Sequence, residues 1–478
     1  MKRIVDFTFN NKTFAKLAET IRKDVVNSVF EGHVYLVGDA IINQILGINK
    51  KNEVLNVVVD APNGGITFPI WITYKHSCFV EKQNPLIDNL NSNAVFNLKD
   101  VDELKNSYFV CSQSRNSFIP KDDRNFSVWY GTIEEDAENR GFTFESIYYN
   151  VSDGCLYDFT GHAFDDIEKR IIRSLNPKKI FKENPLKMLQ AIRNSGEYDF
   201  GIDKDTWFGI LEHKKNILTS TVLSIRVELD KMILVGKPST CLKRLVNSGM
   251  SYYTWPFLDN MADIKTMPYD HVSETLLDHT LKVVDDVPPT SLITRLGALL
   301  HDIGKLKTAS AGFIYHQLVG SNTAKKILES YCYSKPTIDG VVTIVAHHED
   351  LSKFLGNQVP GNKFAKKFMK ACDKYTEHVL DVINANNKAQ VFGKKVKQVP
   401  NFRNVIAAVK ASEEQKLKVK NKPKPPINGS DIMNELHIKT GVKVGKLLDM
   451  VKVEFEKNPK LTRDECLAIC DNALTKGI

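Results

Sequence analysis

Apolar and polar positions follow two different rhythms along this chain. In the first third, short runs dense in β-branched and aromatic residues ("HVYLVG", "VLNVVVDAP", "ITFPIWITYK", "SYFVCSQS", "SIYYNVSDGCLYDF") are bounded by Asn, Gly and Pro, the pattern of strands joined by turns. From "FKENPLKMLQAIRNS" onward the apolar residues recur every three to four positions, through "TSLITRLGALLHDIGK", "NTAKKILESYCYS", "KFAKKFMKACDKYTEHVLDVINA" and "VGKLLDMVKVEFEKN", which places one apolar face on each of a series of helices. The prediction is an α+β protein: a mixed sheet with a few helices, then an all-helical remainder. A Lys/Pro-rich stretch, "EEQKLKVKNKPKPPINGS", reads as an exposed linker before the last helical piece.

At 478 residues the chain is too long for one core, so several domains are expected. No apolar run is long enough to cross a bilayer, and the first twenty residues carry no signal-peptide pattern, so a cytoplasmic protein is expected. The 8 cysteines form no C-x-x-C pair, which argues against a zinc ribbon and fits reduced thiols. A formal net charge of +8 favours a polyanionic partner, the alternative being an ordinary basic surface. In the Lys/Pro stretch, Lys416, Lys418, Lys420, Lys422 and Lys424 are either a solvated charge run or contacts for RNA phosphates.

Four segments occur together: "VYLVGDAIINQILGINKKNEVLNVVVDAP", the stretch from "YGTIEEDAENRGFTF" to "AIRNSGEYDFGID", "LGALLHDIGKLKT", and "KPPINGSDIMNELHIKTGVKVGKLLDMV". In order and spacing they resemble tRNA nucleotidyltransferases of the CCA-adding and poly(A) polymerase family. The resemblance implies a nucleotidyltransferase head, a helical neck that reads nucleobases, helical regions that hold tRNA, and, as in some members, an inserted HD domain. It suggests a head over 1–150, a neck over 151–265, an HD-type domain over 266–410, and a linker with helical tail over 411–478.

Set against that family pattern, this sequence departs at each chemical position. The Gly-Gly pair that lets the backbone approach a triphosphate is Gly38-Asp39 here, and an acid in that pocket repels the ligand. The Asp-x-Asp that holds two divalent ions is matched by Val54 and Asn56, and a third acid falls near Val110. Valine has no ligand atom, and neutral Asn is a poor partner for a hard cation. The Arg-Arg-Asp-Phe motif is matched by Asn139, Arg140, Gly141 and Phe142, the base-reading neck residues by Asn184 and Lys187, and a later Glu-Arg by Leu223 and Ser224. The degenerate nucleotide site would then retain Gly38, Arg140 and Lys187. A rescue reading moves the metal to Asp39, Asp60 or the Asp100/Asp102 pair. Against it, "NLKDVDELK" reads as the start of an exposed helix and Asp60 as part of a strand-ending turn.

A second chemistry is better preserved. "LLDHTLKVVDD", "LLHDIGKLKT", "YHQLVG" and "VAHHED" supply His279, His301, Asp302, His316 and His347 or His348, in the order used by HD-domain phosphohydrolases. An adjacent His-Asp joined by histidines from neighbouring helices suits one or two divalent metals, with imidazole favouring Mn²⁺, Fe²⁺, Co²⁺ or Ni²⁺ over Mg²⁺. His301 and Asp302 are the expected catalytic pair, and Gly304 and Lys305 follow as in that family. The family's closing Asp falls at Asn386, with Asp373 and Asp381 nearby. Lys182, Lys187 and Arg193 are the expected RNA contacts of the neck, for tRNA or a tRNA-like 3′ end. Three readings follow: an RNA-binding pseudoenzyme with a metal phosphohydrolase or phosphodiesterase site, a non-catalytic module that binds RNA or protein, and an active CCA- or poly(A)-adding transferase with relocated ligands.

Overall fold

The computed structural model describes residues 2–4, 7–48, 55–78, 80–81, 94–104, 109–122, 125–265, 274–354, 358–389, 398–420 and 424–477. The fold is α+β, as the two rhythms predict. Its strands are β1 (Lys2–Ile4), β2 (Val34–Val37), β3 (Leu55–Val59), β4 (Val80–Glu81), β5 (Ala94–Phe96), β6 (Phe109–Gln113), the hairpin β7 (Arg115–Asp122) and β8 (Asn125–Tyr130), β9 (Ile147–Asn150) and β10 (Leu156–Asp158). Eight of them form one mixed sheet in the order β1-β10-β9-β2-β3-β6-β5-β4. β3 and β6 run parallel, while β2 is antiparallel to both β3 and β9. All four residues of β2 are buried, the mark of a central strand covered on both faces. The helix Lys12–Val25, started by Asn11 accepting from the amides of Thr13 and Phe14, buries Phe14, Leu17, Ile21 and Val25, and its Arg22 donates to Tyr149 of β9 and to the Val151 carbonyl.

The stretch "ITFPIWITYK" is not a strand but lies within the helix Gly64–Lys75, despite its β-branched residues and an internal Pro69. Tertiary packing overrides local preference here: Phe68 and Ile72 are fully buried, and the Phe68 ring stands 6.3 Å from Phe96 of β5. "NLKDVDELK" is likewise no helix over its described residues, but a pair of hydrogen-bonded turns, Val101 N to Leu98 O and Leu104 N to Val101 O.

The chain divides into two compact units, 1–358 with 372–399, and 359–371 with 400–478. Sheet, neck and histidine-bearing helices therefore form one unit. Its helical part runs from Pro177–Glu183 and Leu186–Glu197 to Lys335–His347 and Thr376–Ala389. In the second unit, Phe364, Phe368 and Phe402 pack ring on ring, and Ile432, Leu447, Val451, Cys466 and Cys470 make a small core. The expected linker is helical over its first part: the helix Gln398–Lys420 runs through the 410/411 boundary. Glu, Gln and Lys sustain it, and the prolines that follow its end cannot.

Candidate functional site

Four elements deliver five side chains to one point. His279 lies on the helix Leu276–Asp286, whose start is fixed by a Thr275/Asp278 capping box. His301 and Asp302 follow the helix Leu292–Leu300, His316 opens the helix His316–Ser330, and His348 caps Lys335–His347. Gly304 permits the approach: a Cβ there would lie 1.9 Å from the His316 carbonyl oxygen. All five side chains are buried.

Asp302 is the centre. Its Oδ2 lies 3.2 Å from His301 Nε2 and 3.8 Å from His279 Nε2, and its Oδ1 lies 3.3 Å from His316 Nε2 and 3.4 Å from His348 Nε2. His301, His316 and His348 each turn Nδ1 to the carbonyl three residues earlier, on Ala298, Phe313 and Val345, at 2.8 to 2.9 Å. A carbonyl can only accept, so Nδ1 carries a proton and the neutral ring would aim its Nε2 lone pair at the centre, the tautomer a metal ligand needs; burial opposes a charge on His316, but Asp302 raises its pKa. Burial, then repulsion from His301, pushes His279 down to about 3, and burial lowers His348. Burial works to raise Asp302, but the charges of His301 and Lys305 outweigh it and hold the carboxyl well below the usual range. Among the described residues, the groups that bring three candidate ligand atoms within 4.8 Å are His279, His301, Asp302 and Asp302, His316, His348. Asp302 Oδ1 and His301 Nε2 are buried without a hydrogen-bond partner, a cost that a bound cation would remove. The residues present fit a divalent metal.

The structure selects His348 over His347, whose Nδ1 is 2.9 Å from Asp350 at the half-exposed edge. Asn386 reaches His279, and its buried Oδ1 has no partner. Sequence reasoning missed Glu349, whose Oε2 lies 3.8 Å from His316 Nε2 and accepts from Gln317. Its position next to His348 in "HHED" was the available signal. A cavity of about 320 Å³ beside the cluster is lined by Lys305, His316, Glu349, Phe313, Tyr315 and Ile264, among others.

The head cleft is built differently. Gly38, at φ 93°, leaves the β2 strand so close to β3 that a Cβ would stand 2.9 Å from Asn56 Nδ2. Asn56 pairs in register with Val37 on one side and Val110 on the other. The three positions are therefore contiguous, with no carboxylate among them, and Val54 lies outside the described residues. Asp60 accepts from Ser114 and Tyr130, and Asp100 is 2.7 Å from His76. Among the described residues, neither these acids nor Asp39 and Asp102 join a three-donor group, against the relocated-metal reading.

The cationic groups of the cleft are met by the protein's own acids. Arg140 is half-buried between Asp136 (2.9 Å) and the Tyr148 hydroxyl. Lys187 pairs with Glu145 at 3.4 Å across the Phe142 ring, and Asn194 donates to the same carboxylate. Arg193 is not a surface contact: it is buried against Glu228 (3.1 Å) and Glu197, because the apolar face of its helix turns it inward. Burial resists the charge on Glu228, but Arg193 and Lys231 lower its pKa. Lys182 is exposed, as is Lys424; Lys416, Lys418 and Lys420 lie on a helical backbone, and Lys422 lies outside the described residues.

Residues 34–173 match the profile described as "Poly A polymerase head domain", and residues 199–261 match "Probable RNA and SrmB- binding site of polymerase A". The tRNA nucleotidyltransferase cca1 of Schizosaccharomyces pombe is 24% identical over 392 residues, 77% of this chain and 75% of that one. A CCA-adding enzyme of Limosilactobacillus reuteri is 34% identical over 131 residues, 27% of this chain and 32% of its own length. Among solved structures, the Bacillus stearothermophilus CCA-adding enzyme in complex with CTP aligns over 98% of this chain and 99% of its own, with TM-score 0.55 and 15% identity. The Thermotoga maritima CCA-adding enzyme complexed with tRNA aligns over 97% and 96%, with TM-score 0.53 and 17% identity. These structural likenesses concern the fold.

Proposed function

The chain belongs to the tRNA nucleotidyltransferase and poly(A) polymerase family, and from that premise we propose an RNA-binding member that has given up nucleotide addition and hydrolyses phosphate esters at its histidine cluster. The carrying observation is the convergence of four imidazole Nε2 atoms on Asp302, three of them with Nδ1 tied to backbone carbonyls. The cluster of His279, His301, Asp302, His316 and His348 offers the donors from which an ion would be held, a first-row transition metal in preference to Mg²⁺. A divalent ion, when bound, supplies a Lewis acid for a phosphate oxygen and a means of ionising water near neutral pH. The chain's own residues do the rest: Lys305 at the cavity wall neutralises phosphate, Asp302 orients the imidazoles, and Phe313 and Tyr315 give the cavity an apolar side for a nucleoside.

In the head, Asn56 and Val110 bring no charge to offset two metals, and Arg140 and Lys187 are held by Asp136 and Glu145. Both features support the pseudoenzyme reading. The partner is tRNA or a tRNA-like 3′ end, as the names of the relatives suggest, with exposed Lys182 among the phosphate contacts. We place the protein in the cytoplasm, since all eight cysteines are unpaired, which fits a reducing compartment. Among the described residues no helix is long and apolar enough to cross a membrane.

The test combines metal analysis of purified protein with hydrolysis of 2′,3′-cyclic nucleotides and phosphomonoesters by wild type and His301→Ala/Asp302→Ala. Bound metal and turnover that vanish together in the double variant support the reading. The absence of both in wild type leaves a non-catalytic RNA- or protein-binding module, the reading that Asn386 favours by removing a charge from the metal's surroundings.

A further inference from the structure

The two donor triangles that share Asp302 are not equivalent. On the first, Asp302 Oδ2 faces His301 and His279 at unequal distances of 3.2 and 3.8 Å, and it already accepts from the Lys305 ammonium at 2.7 Å. The residue beside His279 is the amide Asn386, so Asp302 is the sole carboxylate of that triangle, and its charge is spent on a lysine. A divalent ion there would sit against a fixed cation with nothing to offset it.

The second triangle has edges of 3.3, 3.4 and 3.4 Å, from Asp302 Oδ1 to His316 and His348 and between the two Nε2 atoms. Ligands about 2.1 Å from a metal in a tetrahedron stand about 3.4 Å apart, so three corners are already placed. Asp302 Oδ1 is buried and accepts no hydrogen bond. Glu349, 3.8 Å from His316 Nε2, adds the negative charge that Asn386 withholds from the other side. The cavity is lined by His316, Glu349 and Lys305, and by none of His279, His301 and Asn386. Of the cluster's donors it is therefore His316, a corner of the second triangle, with Glu349 beside it, that meets this cavity.

We propose that the site holds a single divalent ion at Asp302, His316 and His348, with Glu349 as the completing carboxylate, and that the His279/His301 triangle positions Asp302 without binding metal. This rests on the metal-dependent reading above. His301 then acts as a positioning residue: its Nδ1 is fixed on Ala298 and its Nε2 lies against Oδ2, while Lys305 holds the same oxygen, so Oδ1 is turned toward the ion.

The test uses the full chain, stripped with chelator and titrated with Zn²⁺ and with Co²⁺, whose visible band reports tetrahedral ligation. One ion per chain is expected. His316→Ala and His348→Ala should weaken binding by ~100-fold and abolish the Co²⁺ band, Glu349→Gln by ~10-fold, and His279→Ala by no more than ~3-fold with the band intact. Asn386→Asp should add a second equivalent. Thermal melts of the metal-free variants separate lost ligands from lost fold, and a variant that fails to fold is replaced by His→Asn at the same position. Metal lost in His279→Ala but kept in His316→Ala and His348→Ala, or two equivalents in wild type, overturns the assignment and leaves the metal reading standing. No ion in wild type overturns both.

Discussion

The head cleft and the histidine cluster both inherit a place for charged chemistry, and they treat their polar groups in opposite ways. In the cleft three cations are met by carboxylates of the same chain: Arg140 by Asp136, Lys187 by Glu145, and Arg193 by Glu228 and Glu197. These three cations are tied into ion pairs of the chain itself. In the cluster, Asp302 Oδ1 and His301 Nε2 are buried without a hydrogen-bond partner, and the Nε2 atoms of His316 and His348 stand 3.3 to 3.4 Å from Oδ1 and from each other. An arrangement that is unfavourable alone becomes favourable with a cation, the feature on which the proposed metal site rests.

Removing the cluster should have the largest effect. His301→Ala/Asp302→Ala is expected to lower phosphoester hydrolysis by ~1000-fold or more and to leave no bound metal, measured by turnover beside elemental analysis. The same double variant should leave tRNA affinity unchanged, and a parallel loss of RNA binding would erase the distinction between the two regions.

In the cleft, the expected effect is on stability. Arg193→Ala leaves the buried Glu228 with Lys231 as its remaining cation, which should cost up to about 3 kcal/mol in urea unfolding, while the salt dependence of tRNA binding stays as in wild type. A change in salt slope without a change in stability would return Arg193 to the RNA surface.

Acid sharpens the same point. Glu228 has a folded pKa below its ordinary 4.5, with Arg193 and Lys231 outweighing burial. Its contribution is present above that value and is lost as pH falls through the folded pKa, because the unfolded chain takes up the proton first. Wild type should thus lose stability below about pH 4.5 faster than Arg193→Ala, and parallel melting curves of the two proteins across that range would contradict the pairing.

The smallest effect belongs to the exposed surface. Lys182→Ala should weaken tRNA binding by ~3-fold and reduce the slope of log affinity against log salt by ~1, uniformly across tRNA sequences.

What was legible in the sequence divides along the same line. Runs such as "HVYLVG" gave a central strand because period and composition agreed, and the histidines could be gathered because their order resembles that of HD-domain phosphohydrolases. "ITFPIWITYK" misled because its β-branched residues favour a strand locally, and the burial of Phe68 and Ile72 that decides for a helix is non-local. His347 and His348 are adjacent, and only the angle of the helix end tells which points inward. Arg193 reads as a surface base until Glu228, thirty-five residues on, is seen to face it. The Lys-rich stretch read as linker from its prolines, but the residues before them continue a helix.

The central claim is that one region has exchanged its chemistry for stability and the other has not. The most direct measurement is the mass of two tRNAs that lack the 3′ CCA, one ending in a free 3′-hydroxyl and one in a 2′,3′-cyclic phosphate, after incubation with the pure chain, all four nucleoside triphosphates, Mg²⁺ and Mn²⁺. The 3′-hydroxyl tRNA is expected to keep its mass, and the cyclic-phosphate tRNA to gain one water and no nucleotide. A product lengthened by C or A residues would contradict the account, because it would require two metals in a cleft where Asn56 and Val110 stand side by side.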